Sequence, residues 1–210
     1  MKLKKLAVAN SGPLIHLAKA GLLELLDLYD TVVPTEIERE VVAVGKEKGY
    51  GNALQVEEAV KKGLVKVVEV KASKKLTRLA EHAGIHEAEM RVIYYALRNS
   101  AVALLDDEAA RSFARNLGVE VRGSLGLILE GLKSNVITYN KALEGLDNLS
   151  EIMYLSSDIY KEVLSKIKSL IEKTNNDNDA QNSNPQKMRT FISNECFPFN
   201  KLTQGNNSAR

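Results

Sequence analysis

AVALLDDEAAR, residues 101–111, decides how this chain folds. A short apolar run, Ala101 to Leu105, stops at two adjacent carboxylates, Asp106 and Asp107, and a helical pattern begins at once. An apolar run of roughly five residues bounded by polar ones fits a strand covered on both faces. The alanine, glutamate and arginine that follow Asp107 favour helix, and Asp106 or Asp107 can cap its N-terminus. In open parallel sheets ligands bind beyond the carboxyl ends of the strands. A strand that delivers acids to such an edge raises the question of what else arrives there.

On the N-terminal side, Leu6 to Ala9 reads as a short strand ending at Asn10, with Ser11, Gly12 and Pro13 as a turn that opens a helix near Leu14. Leu14, Leu17, Ala18, Leu22, Leu25 and Leu26 recur at helical spacing, broken by Gly21, which predicts two short helices with a joint. Thr31 to Val33 is a second strand. Pro34 and Thr35 start a helix in which Ile37, Val41 and Val42 face inward while Glu36 and Glu40 share another face. Gly45 to Gly51 reads as a loop, Ala53 to Lys61 as a helix, Val65 to Val70 as a strand, and Ser73 to Ala83 as a basic helix carrying Lys74, Lys75 and Arg78. GIHEAEMRVIYYALRNS, residues 84–100, is a helix with Glu87, Glu89 and Arg91 near its start. Beyond the strand at 102–105 and the helix at 108–117, Val119 to Val121 forms a fifth strand and Leu125 to Leu132 a further helix. Strands alternating with helices predict an α/β fold, a parallel sheet with helices on both faces.

The 210 residues, 44% of them hydrophobic, suffice for one core and a little more. Residues 1–139 are expected to form the α/β domain, 140–173 helices docked on it, and 174–210, asparagine-rich at first and without sustained periodicity, a disordered tail. The apolar stripe Ile159, Val163, Ile167, Leu170 and Ile171 is what would dock. A net charge of +2 neither demands nor excludes a nucleic-acid partner, because an acidic site and a basic rim cancel in the sum. The single cysteine, Cys196, excludes an intramolecular disulfide and a cysteine-based zinc site. The charged start MKLKKLAVA is halted by NSGP, and no stretch reaches the roughly 18 to 20 apolar residues that cross a bilayer, so a cytoplasmic, membrane-free protein is expected.

Asn10, Glu40, Glu89, Asp106 and Asp107 all fall at strand ends or on helix turns near them, around one expected crevice. Carboxylates packed together repel, and ionising all of them is costly unless a cation neutralises the charge. Oxygen ligands without histidine or cysteine suit Mg2+ or Mn2+, and such a site hydrolyses phosphodiesters. The structural alternative is ordinary: helix N-termini favour Asp and Glu for dipole reasons alone. Glu36 and Glu87 are expected to be solvated helix residues or caps. Substituting both Asp106 and Asp107 by asparagine is expected to leave the fold intact or steadier, since like charges are removed.

In order and spacing, VANSGPLIHLAKAGLLELL, VPTEIEREV, HEAEMRVIYYAL and LLDDEAARSFARNLGVEVRGSLGLIL resemble the PIN domain, in the prokaryotic branch close to VapC-type toxins, over about residues 5 to 173. The resemblance implies a Mg2+- or Mn2+-dependent endoribonuclease with a four-acid site, the toxin of a toxin and antitoxin pair, and a homodimer. Carried over, the acids fall at Asn10, Glu40, Glu89 rather than Glu87, and either Asp106 or Asp107. Ser124 matches the small hydroxyl or acidic residue after the last strand, which holds a water beside the cation. Asn10 departs from the usual aspartate: its amide oxygen can ligate a hard cation but brings no charge, so metal affinity is expected to drop.

An RNA partner needs a basic approach surface, for which Arg111, Lys74 and Lys75 are the leading candidates, with Arg78, Arg91, Arg115 and Arg122 behind them. Tyr94 and Tyr95 can stack on bases, one of them being needed for the core. His16 and His86 read as partly buried or surface residues outside the chemistry. Two other classes compete: a PIN-like binding module that has lost catalysis through Asn10, and a receiver-like signalling domain. The second wants paired acids after the first strand, where this chain has lysines before it instead.

Overall fold

Five parallel strands, β1 (Leu6–Ala9), β2 (Asp30–Pro34), β3 (Val65–Val68), β4 (Val102–Leu104) and β5 (Val121–Arg122), lie in the order β3-β2-β1-β4-β5 in the computed structural model. The structure describes residues 3–71, 77–79 and 82–182. β1 is central, and Ala7, Val8, Ala9, Val102, Ala103 and Leu104 are fully buried, as expected of strands covered on both faces. The register sets Ala9 beside Leu104 and Val8 beside Val32.

The chain moves outward from β1 through β2 to β3, then returns to the other side of β1 to lay down β4 and β5. This reversal makes the gap between the ends of β1 and β4 the topological switch point, where open α/β sheets leave a crevice. Because parallel crossovers are right-handed, reversing direction also moves the connecting helices to the opposite face. The α/β architecture, a parallel sheet flanked by helices, is the one the alternating pattern predicts.

Helix α1 (Ser11–Ala20) follows β1, and a 3-10 turn, Leu23–Leu28, leads to β2. Helix α2 (Thr35–Glu38) runs on in π-helical form over Arg39–Val44 and ends in a short turn, Gly45–Glu47. Helix α3 (Gly51–Lys61) precedes β3. Helix α4 (Glu87–Asn99) lies against β1, β2 and β4, and α5 (Glu108–Asn116) touches it. Helices α6 (Ser124–Lys133) and α7 (Tyr139–Ile152) pack on each other and on α1. Leu25 of the 3-10 segment and Leu22 just before it close this layer against glycine notches. A Cβ at Gly131 would fall 2.2 Å from Leu25 Cδ2, and one at Gly145 2.5 Å from Leu22 Cδ1.

Several boundaries differ from the sequence reading for physical reasons. Helix α1 begins at Ser11 instead of Leu14, since Pro13 in a first turn lacks only an N–H that would have gone unpaired there. Gly21, at φ 70°, stops it, and the leucines beyond wind as a 3-10 turn instead of a second α-helix. The expected loop after Gly45 stays helical through Glu47, and β5 is Val121–Arg122 instead of Val119–Val121. Most of the predicted basic helix at 73–83, with Lys74 and Lys75, lies outside the described residues.

The last helix, α8 (Ser157–Asn182), continues past Lys173, where composition had suggested that order stops. By contacts the chain forms two units, Met1–Leu170 and Ile171–Arg210. Within the first unit Val163 and Ile167 are buried, while Ile159 is exposed. Among the described residues no helix is long and apolar enough to cross a membrane.

Candidate active site

At the switch point the chain leaves β1 through Asn10 and β4 through Asp106. The Asn10 backbone N–H donates to the Leu104 carbonyl at 3.1 Å, which fixes the two strand ends side by side. Asn10 is buried, 7% exposed, and among the described residues its Oδ1 has no hydrogen-bond partner. Leaving a buried amide oxygen without a donor costs about 1–3 kcal/mol, so the site is built with an open acceptor.

Asp106 and Asp107 diverge. Asp106 Oδ1 accepts from the Ser124 backbone N–H at 2.7 Å, while its Oδ2 accepts from Ser124 Oγ at 2.7 Å and meets His16 Nδ1 at 2.7 Å. Its side chain is 8% exposed. Helix α1 passes close beside this carboxylate: a Cβ on Gly12 would meet Asp106 Oδ2 at 3.8 Å, an ordinary van der Waals contact. Asp107 Oδ1 instead accepts from the Ala110 N–H at 2.8 Å and caps α5. Of the two readings of this pair, the capping one therefore falls to Asp107.

The other predicted acids come to the same edge by topology. Helix α4 ends just before β4 begins, so its start, with Glu87 and Glu89, lies where the strands end. Glu89 is buried and its Oε2 accepts from the His86 N–H at 3.1 Å, as the third residue of a helix often does. Glu40 is exposed, on the π-helical continuation of α2 that leaves the end of β2. Sharing an edge is not the same as closing a cage. Among the described residues no group of three or more His, Cys, Asp or Glu side chains is close enough to hold a metal ion. The expected four-acid cluster is thus not drawn to ligand distance among the described residues, and Asp106, Asp107 and Glu89 each accept hydrogen bonds from the protein.

In kind, the donors fit a hard divalent cation. They are oxygens, and the Asn10 Oδ1 without a donor is the acceptor that a cation or a water would satisfy.

Of the cationic candidates, Arg111 stands at the site. A Cβ on Gly123 would be 3.1 Å from Asp106 Oδ1 and 3.6 Å from Arg111 Nη1, so carboxylate and guanidinium flank the same glycine. Arg111 Nε is buried and has no hydrogen-bond partner among the described residues, and Nη1 lies 3.5 Å from Glu108. The remaining arginines are engaged elsewhere. Arg91 pairs with Glu36 and Glu87, Arg115 with Glu108, and Arg122 with Glu120 and Glu130. Arg78 is exposed, Tyr94 and Tyr95 are half-buried, and Lys74 and Lys75 lie outside the described residues.

The residue that sequence reading left out is His16. It stands four residues after Gly12, on the face of α1 turned toward Asp106. That spacing, with a glycine where α1 passes the acid-bearing strand, was the available signal.

A family model described as a PIN domain matches residues 6–169. No curated protein matches the sequence. Among solved structures, the chain is similar to a PilT N-terminus domain protein, SSO1118, from the hyperthermophilic archaeon Sulfolobus solfataricus P2, at 17% identity over 60% of this chain and 93% of that one, with a TM-score of 0.37. It is also similar to PAE2754 from Pyrobaculum aerophilum, at 17% identity over 53% of this chain and 88% of that one, with a TM-score of 0.38.

Proposed function

The chain belongs to the PIN-domain family, whose members are generally nucleases, and we propose that this one is a Mg2+- or Mn2+-dependent endoribonuclease acting on single-stranded RNA. The observation that carries the reading is the pair of adjoining strand ends at the switch point: one leads to an Asp106 held by Ser124, the other to a buried Asn10 whose Oδ1 has no donor among the described residues. The residues that would hold the cation are Asn10, Glu40, Glu89 and Asp106, with Asp107 as the alternative for the last. When bound, the cation supplies an acidified water and positive charge at the phosphate.

The chain's own part is orientation and charge. Ser124 and His16 hold the Asp106 carboxylate in one direction, which spares the reaction the cost of ordering it. Arg111, with an unsatisfied Nε, offers its guanidinium to a phosphate of the bound strand. The toxin role, an antitoxin partner, pairing as a homodimer and a cytoplasmic setting rest on the likeness of the motif order to VapC-type proteins.

A second reading, a PIN-domain RNA- or protein-binding module with weakened catalysis, is favoured by the amide at position 10 and by the open spacing of the acids. One experiment separates the two. Cleavage of single-stranded RNA by the full chain is measured with Mg2+, with Mn2+ and with chelator, in the native form and in Asn10→Asp. The nuclease reading expects cation-dependent cleavage by the native chain. An inert native chain that gains cleavage with aspartate at position 10 would establish the binding module.

A further inference from the structure

Arg91 joins three segments: its own helix α4, helix α2 and the chain just beyond β3. Its Nη1 donates to the Val70 carbonyl, beyond the end of β3, at 2.7 Å and lies 3.1 Å from Glu36 Oε1 on α2. Its Nη2 donates to Glu87 Oε1, on its own helix α4, at 2.7 Å. The Arg91 side chain is only 20% exposed, whereas its partners Glu36 and Glu87 are 47% and 68% exposed, so the guanidinium is the shielded member of each pair.

The positions of the partners matter more than their number. Glu36 precedes Glu40 by four residues on one continuous helical stretch, and Glu89 precedes Arg91 by two on another. A planar guanidinium with donors in a fixed fork holds its partners at set distances, which a flexible lysine does not. We infer that Arg91 is a positioning residue: through Glu36 and the Val70 carbonyl it sets the separation between the two helical stretches that carry Glu40 and Glu89, and so the width of the cation site. The inference rests on the reading that Glu40 and Glu89 hold the cation. It also assigns a role to Glu36, which the sequence left as a solvated acid, and it withdraws Arg91 from the RNA-binding surface, since both of its terminal nitrogens are already engaged.

The test is Mn2+ binding to the full chain without RNA, followed by electron paramagnetic resonance of the free ion, with thermal unfolding in parallel. Arg91→Gln is expected to weaken Mn2+ affinity about tenfold or more, as loss of a group supporting a metal ligand does. Glu36→Gln should weaken it similarly, the double variant should add nothing further, and Arg91→Lys should not restore affinity. Glu87→Gln breaks only a pair within α4 and should leave affinity unchanged. The inference is overturned if Arg91→Gln and Glu36→Gln bind Mn2+ like the native chain, including the case in which they merely melt earlier. It is equally overturned if Arg91→Gln keeps Mn2+ affinity but loses RNA binding in chelator, which would make Arg91 an RNA contact. Glu36→Gln, altering a half-exposed side chain, carries the test if Arg91→Gln does not fold. A native chain that binds no Mn2+ defeats the nuclease reading itself, and with it this inference, before any substitution is made.

Discussion

His16 Nδ1 stands 2.7 Å from Asp106 Oδ2, joining the first helix of the chain to the end of β4 at the point where the sheet reverses direction. With the two bonds from Ser124, this leaves the Asp106 carboxylate facing three protein donors. The expectation that removing its charge steadies the fold therefore does not carry over to Asp106. Asp106→Asn turns an NH2 group toward donors that need an acceptor, which should cost about 1–3 kcal/mol in denaturant unfolding. RNA cleavage should fall by on the order of 100-fold. Asp107→Ala should cost about 1 kcal/mol through the lost cap of α5, and Asp107→Asn much less, since asparagine caps equally well. Equal stability of native and Asp106→Asn chains would refute the bonding described.

Gly123→Ala tests how tightly Asp106 is seated. The backbone at this position, φ −104° and ψ 171°, accepts any residue, so only space is at issue. The added methyl would stand 3.1 Å from Asp106 Oδ1 and 3.3 Å from the Leu105 carbonyl. The carbonyl belongs to the strand end and yields little, so the carboxylate must shift. A loss of cleavage of about 10- to 100-fold, with a stability loss near ~1 kcal/mol, is expected. Steady-state kinetics and urea titration read the two effects separately.

In the helical layer, Gly131→Ala should act on stability alone. Its Cβ would overlap Leu25 Cδ2 at 2.2 Å, and Leu25 is completely buried. Overpacking of this kind costs about 1–3 kcal/mol, which outweighs the roughly 1 kcal/mol that alanine gains over glycine inside a helix. A lower denaturation midpoint with unchanged slope is the signature. A stabilised variant would show that Leu25 has somewhere to go.

Alkaline unfolding should involve Tyr29. Burial, together with its 2.7 Å hydrogen bond to Glu130, pushes the phenol well above its ordinary value of 10.0. Above pH 10 the unfolded chain loses this proton first, so it binds fewer protons than the native state and stability falls as pH rises. Below that value the contribution is fully present. Tyr29→Phe, lacking the proton, should flatten the decline of stability above pH 10 while losing about 1 kcal/mol at neutral pH. Urea titrations at neutral and alkaline pH would show it. The same decline in both chains would place the alkaline weakness elsewhere.

Element order was legible because apolar periodicity is a local signal, and the run before Asp106 did deliver acids to a sheet edge. What sequence could not convey was direction. Asp106 and Asp107 are neighbours in the chain, yet one faces Ser124 and His16 while the other turns to the helix it starts, a choice made by contacts with segments far away in sequence. Arg91 looked like a free cation for the same reason: its partners Glu36 and Val70 approach only once β2, β3 and α4 are assembled. The PIN resemblance named positions by motif order, which carries no distances, so it could not convey the open spacing of the acids among the described residues.

The wide winding at Arg39–Val44, which carries Glu40, makes one kind of genetic change unusually informative. A π-helical turn accommodates one residue more than an α-turn. Deleting Arg39 would let the helix close into a regular, sounder one, and would swing Glu40 by roughly a third of a revolution. Robustness and performance would then move in opposite directions. A selection for durability alone would be expected to erase this irregularity, and one for turnover to keep it.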